Sequence, residues 1–379
     1  MKKLFAALLA LVLVTGCSSG WSSSAVKIGV DLELTGSLAD YGNSEATGVE
    51  LAVKLANENG GALGADIELV KLDNLSDSAE AQSVFIKLAE VEKVSAVISP
   101  ATSGATAAVY PLADEFGVPT VGASATADGI TQDASGNVYA NAFRVCFLDS
   151  YQGHAMAKFA KNNLNATKAV VFSDSSSDYA KGVGGNFIST FTANGGTVVA
   201  HESYIAGDKD FNAALTKISK MDFDVLYVPG YYSEAGLIIK QARALGIDCP
   251  IIGPDGFDSP SLLDVAGAAA LNDVYFTTAY TTVTTDATIL KFVEDYKAEY
   301  NKEPDMFAAL AYDAANLIID ASKRANSSDP AKIQEALVAT DNFKGVTGSI
   351  SFDELHNAIK SVLVVELVDG VQTDSVEVK

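Results

Sequence analysis

The stretch VKIGVDLELTGSLADYGNSEATGVELAVKLANENGG, residues 26–61, sets the fold. It opens with a β-forming run, Val26–Leu32, and passes through a loop of small and polar residues. It then enters a helix in which Val49, Ala52, Val53 and Ala56 recur at i, i+3, i+4 and i+7, one face of a 3.6-residue period. Gly60-Gly61 stops that helix. Strand, loop and amphipathic helix, in that order, are the first half of a βαβ unit.

Working outward, the same cycle repeats. DIELVKLDN reads as a strand and 79–91 as a helix, VSAVISP as a strand and 103–116 as a helix, and VPTVGAS closes the unit. Strands apolar along their whole length belong to a parallel sheet covered on both faces. NVYANAFRVCFLDS breaks the rhythm, which then restarts. Helices are expected at 151–163, 179–193, 210–220 and 233–245, between the strands KAVVFSD, GTVVAHESY, FDVLYVPG and PIIGPDG. DVYFTTAYTT breaks the rhythm again. Helices near 287–300 and 306–323 follow, and Asp329-Pro330 carries a helix start with Asp as N-cap and Pro at the first position. The C-terminal stretch reads as strands with a turn at Asp369-Gly370. The expected fold is α/β, two Rossmann-like lobes with parallel central sheets, linked by several crossings. A cleft between such lobes, beyond the carboxyl ends of the strands, is a natural small-molecule site.

Composition narrows the function. The chain has 379 residues, 48% of them hydrophobic, and a formal net charge of −22. So acidic a surface argues against nucleic acid and anionic membrane faces as partners. Residues 1–16 have two lysines, an apolar run from Leu4 to Val14 and then small residues, the layout of a secretory signal peptide. The run is short for a membrane span. Its ending, Val14-Thr15-Gly16-Cys17, resembles a bacterial lipobox, which implies cleavage before Cys17 and a lipid on its thiol. The alternative is an ordinary signal peptide with a chance cysteine. The Ser-rich segment to residue 25 reads as a tether. Cys146 and Cys249 have two readings: a disulfide, which an export route permits, or two small buried thiols.

Two strand ends carry small residues and hydroxyls, ISPATSGAT and VGASATADG. Ser103 opens a helix, where N–H groups and the dipole favour an anion. Ser103, Thr126 and the backbone N–H groups near Ala125 and Thr126 could together hold a carboxylate. Ala123, Ser124 and Ala125 let a ligand approach the main chain. Each loop alone also reads as an N-cap or turn. On the other half, Tyr231 and Tyr232 end one strand and Asp255 ends the next. Asp255 could meet an ammonium group, or serve as the Asp of a Pro-Asp-Gly turn.

Enzyme signatures do not assemble. No GxGxxG or P-loop is present. GVGGN at 182–186 lacks its third glycine, and GASAT at 122–126 has Thr126 where a nucleophile elbow needs glycine. His154, His201 and His356 have no companion at metal-ligand spacing. The expectation is no catalysis, no metal and no cofactor.

With these segments placed, the chain resembles the periplasmic-binding-protein type I family, and within it the branched-chain amino-acid receptors of ABC importers. The opening strand, its TG…YG loop and first helix carry the likeness, with FRVCFLDSYQG at the crossing and GYYSEAGLIIKQARALGI in the second lobe. The resemblance implies a three-segment hinge, with one lobe of residues 26–145 and 278–350 and another of 146–277 and 351–379. It implies that Ser103 and Thr126 bind the ligand carboxylate with backbone help from Ser124 and Ala125. Ser124 and Thr126 would also accept from the ammonium, and Asp255 would pair with it. Tyr41, Tyr179, Tyr231 and Phe307 would line the side-chain pocket. The leucine-type receptors usually place Glu where this chain has Asp255. The implied partners are an amino acid, ABC permease subunits and, through the lipid anchor, the membrane; the implied state is a monomer. Rival readings are a same-fold receptor for an amide, urea, aromatic acid or short peptide, a ligand sensor, and an exported enzyme.

Overall fold

The computed structural model describes residues 25–378; the signal peptide and Cys17 lie outside the described residues. The first sheet is built from β1 (Lys27–Leu32), α1 (Ala39–Glu58), β2 (Glu68–Asp73), α2 (Ser78–Ile86), β3 (Ala96–Ile98), α3 (Ser103–Phe116), β4 (Thr120–Gly122) and β5 (Ala142–Arg144). Its five strands run parallel in the order β2-β1-β3-β4-β5. The order reverses between β1 and β3, and the carboxyl ends of β1, β3 and β4 open on one crevice.

The second sheet takes α4 (Asp149–Asn162), β6 (Lys168–Asp174), α5 (Asp178–Ala193), β7 (Thr197–Tyr204), α6 (Asn212–Ile218) and β8 (Val225–Tyr227). It continues through α7 (Tyr232–Ala244), β9 (Ile251–Gly253), α8 (Pro260–Ala266) and β10 (Val274–Thr278). The chain then returns to the first lobe with α9 (Ala287–Tyr300), α10 (Met306–Ala325), α11 (Pro330–Val338) and the hairpin β11 (Phe343–Gly345) and β12 (Gly348–Ile350). It crosses back to end as β13 (Val362–Val368) and β14 (Val371–Val378). The seven strands lie in the order β14-β13-β10-β9-β8-β6-β7, and only the β10–β13 and β13–β14 pairs are antiparallel. Three connections therefore join the sheets: after β5, after β10 and after β12.

Ile28, Gly29, Val30, Asp31 and Leu32 are buried in succession, on alternating faces of β1, because helices cover both faces of the first sheet. Helix α10 packs along α1. Gly48 permits the close approach, since a Cβ there would lie 2.1 Å from the carbonyl oxygen of Ala308. Asp329 caps α11 as its sequence signal requires, its carboxylate accepting from the N–H groups of Ala331 and Lys332. A cap of the same kind at Ser259-Pro260 starts α8, a seven-residue helix too short to show a period in the sequence. The helix expected over 79–91 is regular only to Ile86 and widens into a π-helical turn over Lys87–Glu92. Tyr231 does not end a strand: β8 stops at Tyr227, and Tyr231 is the cap residue of α7. Cys146 and Cys249 are both free thiols, which removes the disulfide reading.

Candidate functional site

The near wall of the cleft begins where β3 runs out through Ser99-Pro100-Ala101 into α3. The N–H groups of Ala101 and Thr102 donate to Glu33 at 2.9 and 3.1 Å, and the Thr102 hydroxyl adds a bond of 2.8 Å. Glu33 is fully buried, so a resident carboxylate already occupies these two donors at the head of α3. Burial pushes its carboxyl up, and these hydrogen bonds oppose that shift. The anion-binding capacity left to a ligand starts one residue later, at Ser103. The Ser103 hydroxyl accepts from Ala127 N–H at 3.1 Å, tying the two hydroxyl-bearing loops together.

The second loop, Ser124-Ala125-Thr126, is held from behind. Arg144 donates to the carbonyls of Ala125 and Ala127 at 3.0 and 2.7 Å, and to Asn357 at 2.7 Å. The Thr126 carbonyl accepts from Asp149 N–H at 2.9 Å, where the chain crosses between lobes. Ser124 Oγ lies within hydrogen-bonding reach of the Ala101 carbonyl and of Glu45 Oε1.

The far wall centres on Asp255, just beyond β9 and only 3% exposed. Its Oδ1 accepts from Tyr179 at 2.5 Å and from Gln152 Nε2 at 3.0 Å, while Gly256 N–H donates to the Tyr179 hydroxyl at 3.0 Å. Gln152 is the hub. Its Nε2 also donates to Asp149 at 3.1 Å, and its Oε1 accepts from Asp255 N–H at 3.2 Å and Thr277 Oγ1 at 2.7 Å. Burial raises the Asp255 carboxyl from 3.8 to about 6, against the pull of Tyr179 and Gln152. Asp149, buried and with the Asp255 charge beside it, is pushed up well above the usual carboxylate range. Asp255, with two side-chain donors on Oδ1, is better placed to carry the charge than Asp149, whose Oδ2 is buried without a partner.

Aromatic rings close the remaining side. Tyr41 stacks on Phe307 at 4.3 Å between centroids, and Tyr179 stacks on Tyr231 at 5.0 Å. Tyr41 also meets Tyr231 and Tyr232 edge-on at 5.7 and 5.0 Å. Between the walls lies a narrow cleft. The structure brings Tyr41, Ser103, Ser124, Thr126, Tyr179, Tyr231, Asp255 and Phe307 together around it, with Ala101, Thr102 and Gly256. Ala125 is not on that lining; it is fully buried and its carbonyl faces Arg144. Sequence reasoning missed Glu33, Glu45, Asp149 and Gln152. Gln152 falls inside the crossing segment FLDSYQG, but no residue spacing ties it to a turn 103 residues on.

Among the described residues no group of three or more His, Cys, Asp or Glu is placed to hold a metal ion. The three histidines are engaged elsewhere: His154 with Thr190, His201 with Ser173, and His356 with the Ala142 carbonyl. What the cleft can do is bind a small dipolar molecule, with an anion at the Ser103/Thr126 wall, a cation at Asp255 and an apolar group among the rings.

Two α/β lobes joined by three strands of chain, with a polarised cleft between them, define a solute-binding protein. Residues 25–372 match the periplasmic binding protein family, and the chain belongs to it. Residues 1–18 match the prokaryotic membrane lipoprotein lipid attachment site, which contains Cys17. The chain is therefore exported and anchored by lipid outside the cytoplasm. No helix among the described residues is long and apolar enough to cross a membrane. The chain is 29% identical, over 93% of its length and 92% of the relative's, to the leucine-, isoleucine-, valine-, threonine- and alanine-binding protein of Pseudomonas aeruginosa. The crystal structure of the branched-chain amino acid transporter substrate binding protein LivJ from Streptococcus pneumoniae, in complex with isoleucine, is 44% identical. It superposes with a TM-score of 0.89, covering 94% of this chain and all of that one. A Rhodopseudomonas palustris (R. palustris) solute binding protein in complex with benzoate is 27% identical, with a TM-score of 0.84, covering 94% of this chain and 96% of that one.

Proposed function

We propose that this chain is the receptor of an ABC importer and binds a branched-chain or other hydrophobic amino acid between its lobes. The observation that carries the reading is the opposition of Asp255 to the Ser103/Thr126 wall across one narrow cleft. An α-amino acid presents a carboxylate and an ammonium a few ångströms apart, and each meets its complement. Desolvating both charges is tolerable because both are paired. The Ser103 and Thr126 hydroxyls, with the main chain at Ser124, bind the carboxylate end on the first lobe. Asp255 takes the ammonium, and Tyr41, Tyr179, Tyr231 and Phe307 enclose the side chain. The leucine-, isoleucine-, valine-, threonine- and alanine-binding relative and the isoleucine complex of LivJ support the same reading.

In this mechanism the open receptor captures the ligand on the first lobe. Closure then adds Tyr231 and Asp255, contacts available only in the closed state, and these shift the equilibrium. The closed, monomeric receptor delivers its ligand to membrane permease subunits. It performs no catalysis. The benzoate-bound relative favours a second reading, an aromatic acid. A buried Asp255 counts against it, since a ligand without an amine leaves that carboxylate unpaired.

The test is native mass spectrometry of freshly purified protein, followed by calorimetric titration with leucine, isoleucine, valine, their 2-oxo acids and benzoate. Tight binding of an amino acid and weak binding of its 2-oxo acid is the expected result. Equal affinity for both would remove the amino-acid assignment.

A further inference from the structure

Glu45 sits on α1, fully buried, directly behind the wall that faces the ligand. Its Oε1 reaches Ser124 Oγ, and that same oxygen lies 2.8 Å from the Ala101 carbonyl. A serine hydroxyl carries one hydrogen and two acceptor lone pairs. It cannot donate to a carbonyl and to a carboxylate at once, so one of the two contacts needs a hydrogen from the other side. The Ala101 carbonyl has none to give. Glu45 has one if it is a carboxylic acid. The other carboxyl oxygen, Oε2, is buried without a hydrogen-bond partner. That is tolerable for a neutral carbonyl oxygen and costly for half of an ionised carboxylate.

We propose that Glu45 is a positioning residue held as the neutral acid, donating to Ser124, which in turn donates to Ala101. The relay Glu45→Ser124→Ala101 pins both hydroxyl-bearing loops of the near wall to α1. It leaves Ser124 Oγ with a single free lone pair, so toward a ligand this hydroxyl acts only as an acceptor. It also keeps a second fixed negative charge away from the wall that takes the ligand carboxylate. Glu33 already supplies one such charge there, quenched by three donors.

The surroundings agree. The charged groups facing Glu45 are both acids: Glu33, just beyond the end of β1, and Asp305, the cap of α10. From α9 and β2, Glu299 and Lys71 are engaged at the surface with Lys54 and Glu50. Burial, and then these acids, push the Glu45 carboxyl well above its ordinary value, while its contact with Ser124 works the other way.

The inference deepens the amino-acid reading and rests on it for its binding arm alone. Difference infrared spectra of the mature, lipid-anchored chain in detergent, wild type against E45Q at pH 7, report the proton without any ligand. A protonated-carboxyl carbonyl band present in wild type and absent from E45Q is expected. Leucine titrations then report the positioning role. Gln can donate to Ser124 as the neutral acid does, so E45Q should stay within about threefold of wild-type affinity, while E45A should lose about tenfold. Circular dichroism verifies that each variant is folded. No difference band at pH 7, or an E45Q as weak as E45A, overturns the proposal. If wild type binds no amino acid at all, the amino-acid reading fails and the infrared band alone decides the state of Glu45.

Discussion

The Tyr41 hydroxyl, carried on α1 of the first lobe, donates to the carbonyl oxygen of Gly256 on the second lobe at 2.5 Å. It also accepts from Tyr232 N–H at 3.1 Å. Nearby, Tyr232 donates to the Ser37 carbonyl at 3.2 Å and Ser259 to Asp40 at 3.0 Å. These cross-cleft bonds are polar and few, and water can replace each of them when the lobes part. The latch therefore contributes to closure without enforcing it, which leaves the ligand's own contacts to set the balance.

Tyr41→Phe keeps the stack on Phe307 and removes both latch bonds. Affinity for leucine should fall about fivefold, chiefly through faster dissociation, since a neutral hydrogen bond is worth about 1 kcal/mol. Stopped-flow fluorescence measures the two rates. A drop confined to the association rate would contradict the latch.

Asp255→Ala should abolish high-affinity amino-acid binding, a loss of at least about 2 kcal/mol or thirtyfold, because the ammonium would be buried unpaired. The fold should survive, since burial makes the ionised acid a cost to the folded chain and not a source of its stability. Calorimetry reads the affinity and a thermal melt the fold. Unchanged affinity would mean that another group meets the amine.

The pH dependence follows from the same residue. Its folded value, about 6, lies above its ordinary 3.8, so between these limits the folded chain holds more protons than the unfolded one. On this account the empty receptor loses stability as pH rises through that window. Leucine affinity moves in the opposite sense, falling as pH drops below about 6, because the ammonium needs the carboxylate. Binding at pH 6 should release protons, seen by titrating in buffers of different ionisation enthalpy. An affinity flat from pH 7 to pH 5 would count against Asp255 as the partner.

Gln152→Ala removes the donor shared by Asp149 and Asp255 and the acceptor of Thr277. Buried polar groups left unmatched cost about 1–3 kcal/mol each, so both stability and binding should suffer. A melting temperature equal to wild type would show that water takes over its role.

Gly48→Ala tests the packing of α1 on α10. Helix propensity alone would favour alanine by about 1 kcal/mol. The added methyl would sit 2.1 Å from a backbone oxygen, and overpacking of that kind costs about 1–3 kcal/mol. The clash wins, and chemical denaturation should show a net loss.

The amino-acid sequence by itself determined the alternation of strands and helices and most of their limits. That information is local: the helical period around Val49 and Val53, the Gly60-Gly61 stop, and the Asp329-Pro330 start each depend on a few neighbouring residues. It also exposed the hydroxyl-rich strand ends, because small residues after an apolar run are visible without any partner. Tertiary structure alone decided which groups share the cleft and in what state. Ala125 turned its carbonyl to Arg144 instead of lining the cleft, Glu33 had already taken two of the helix-head donors, and Gln152 joined Asp149 to Asp255 across 103 positions. None of this has a signature in spacing. A hydrogen-bond network in a buried cleft depends on how many donors and acceptors converge there, and the crossing of two lobes settles that count.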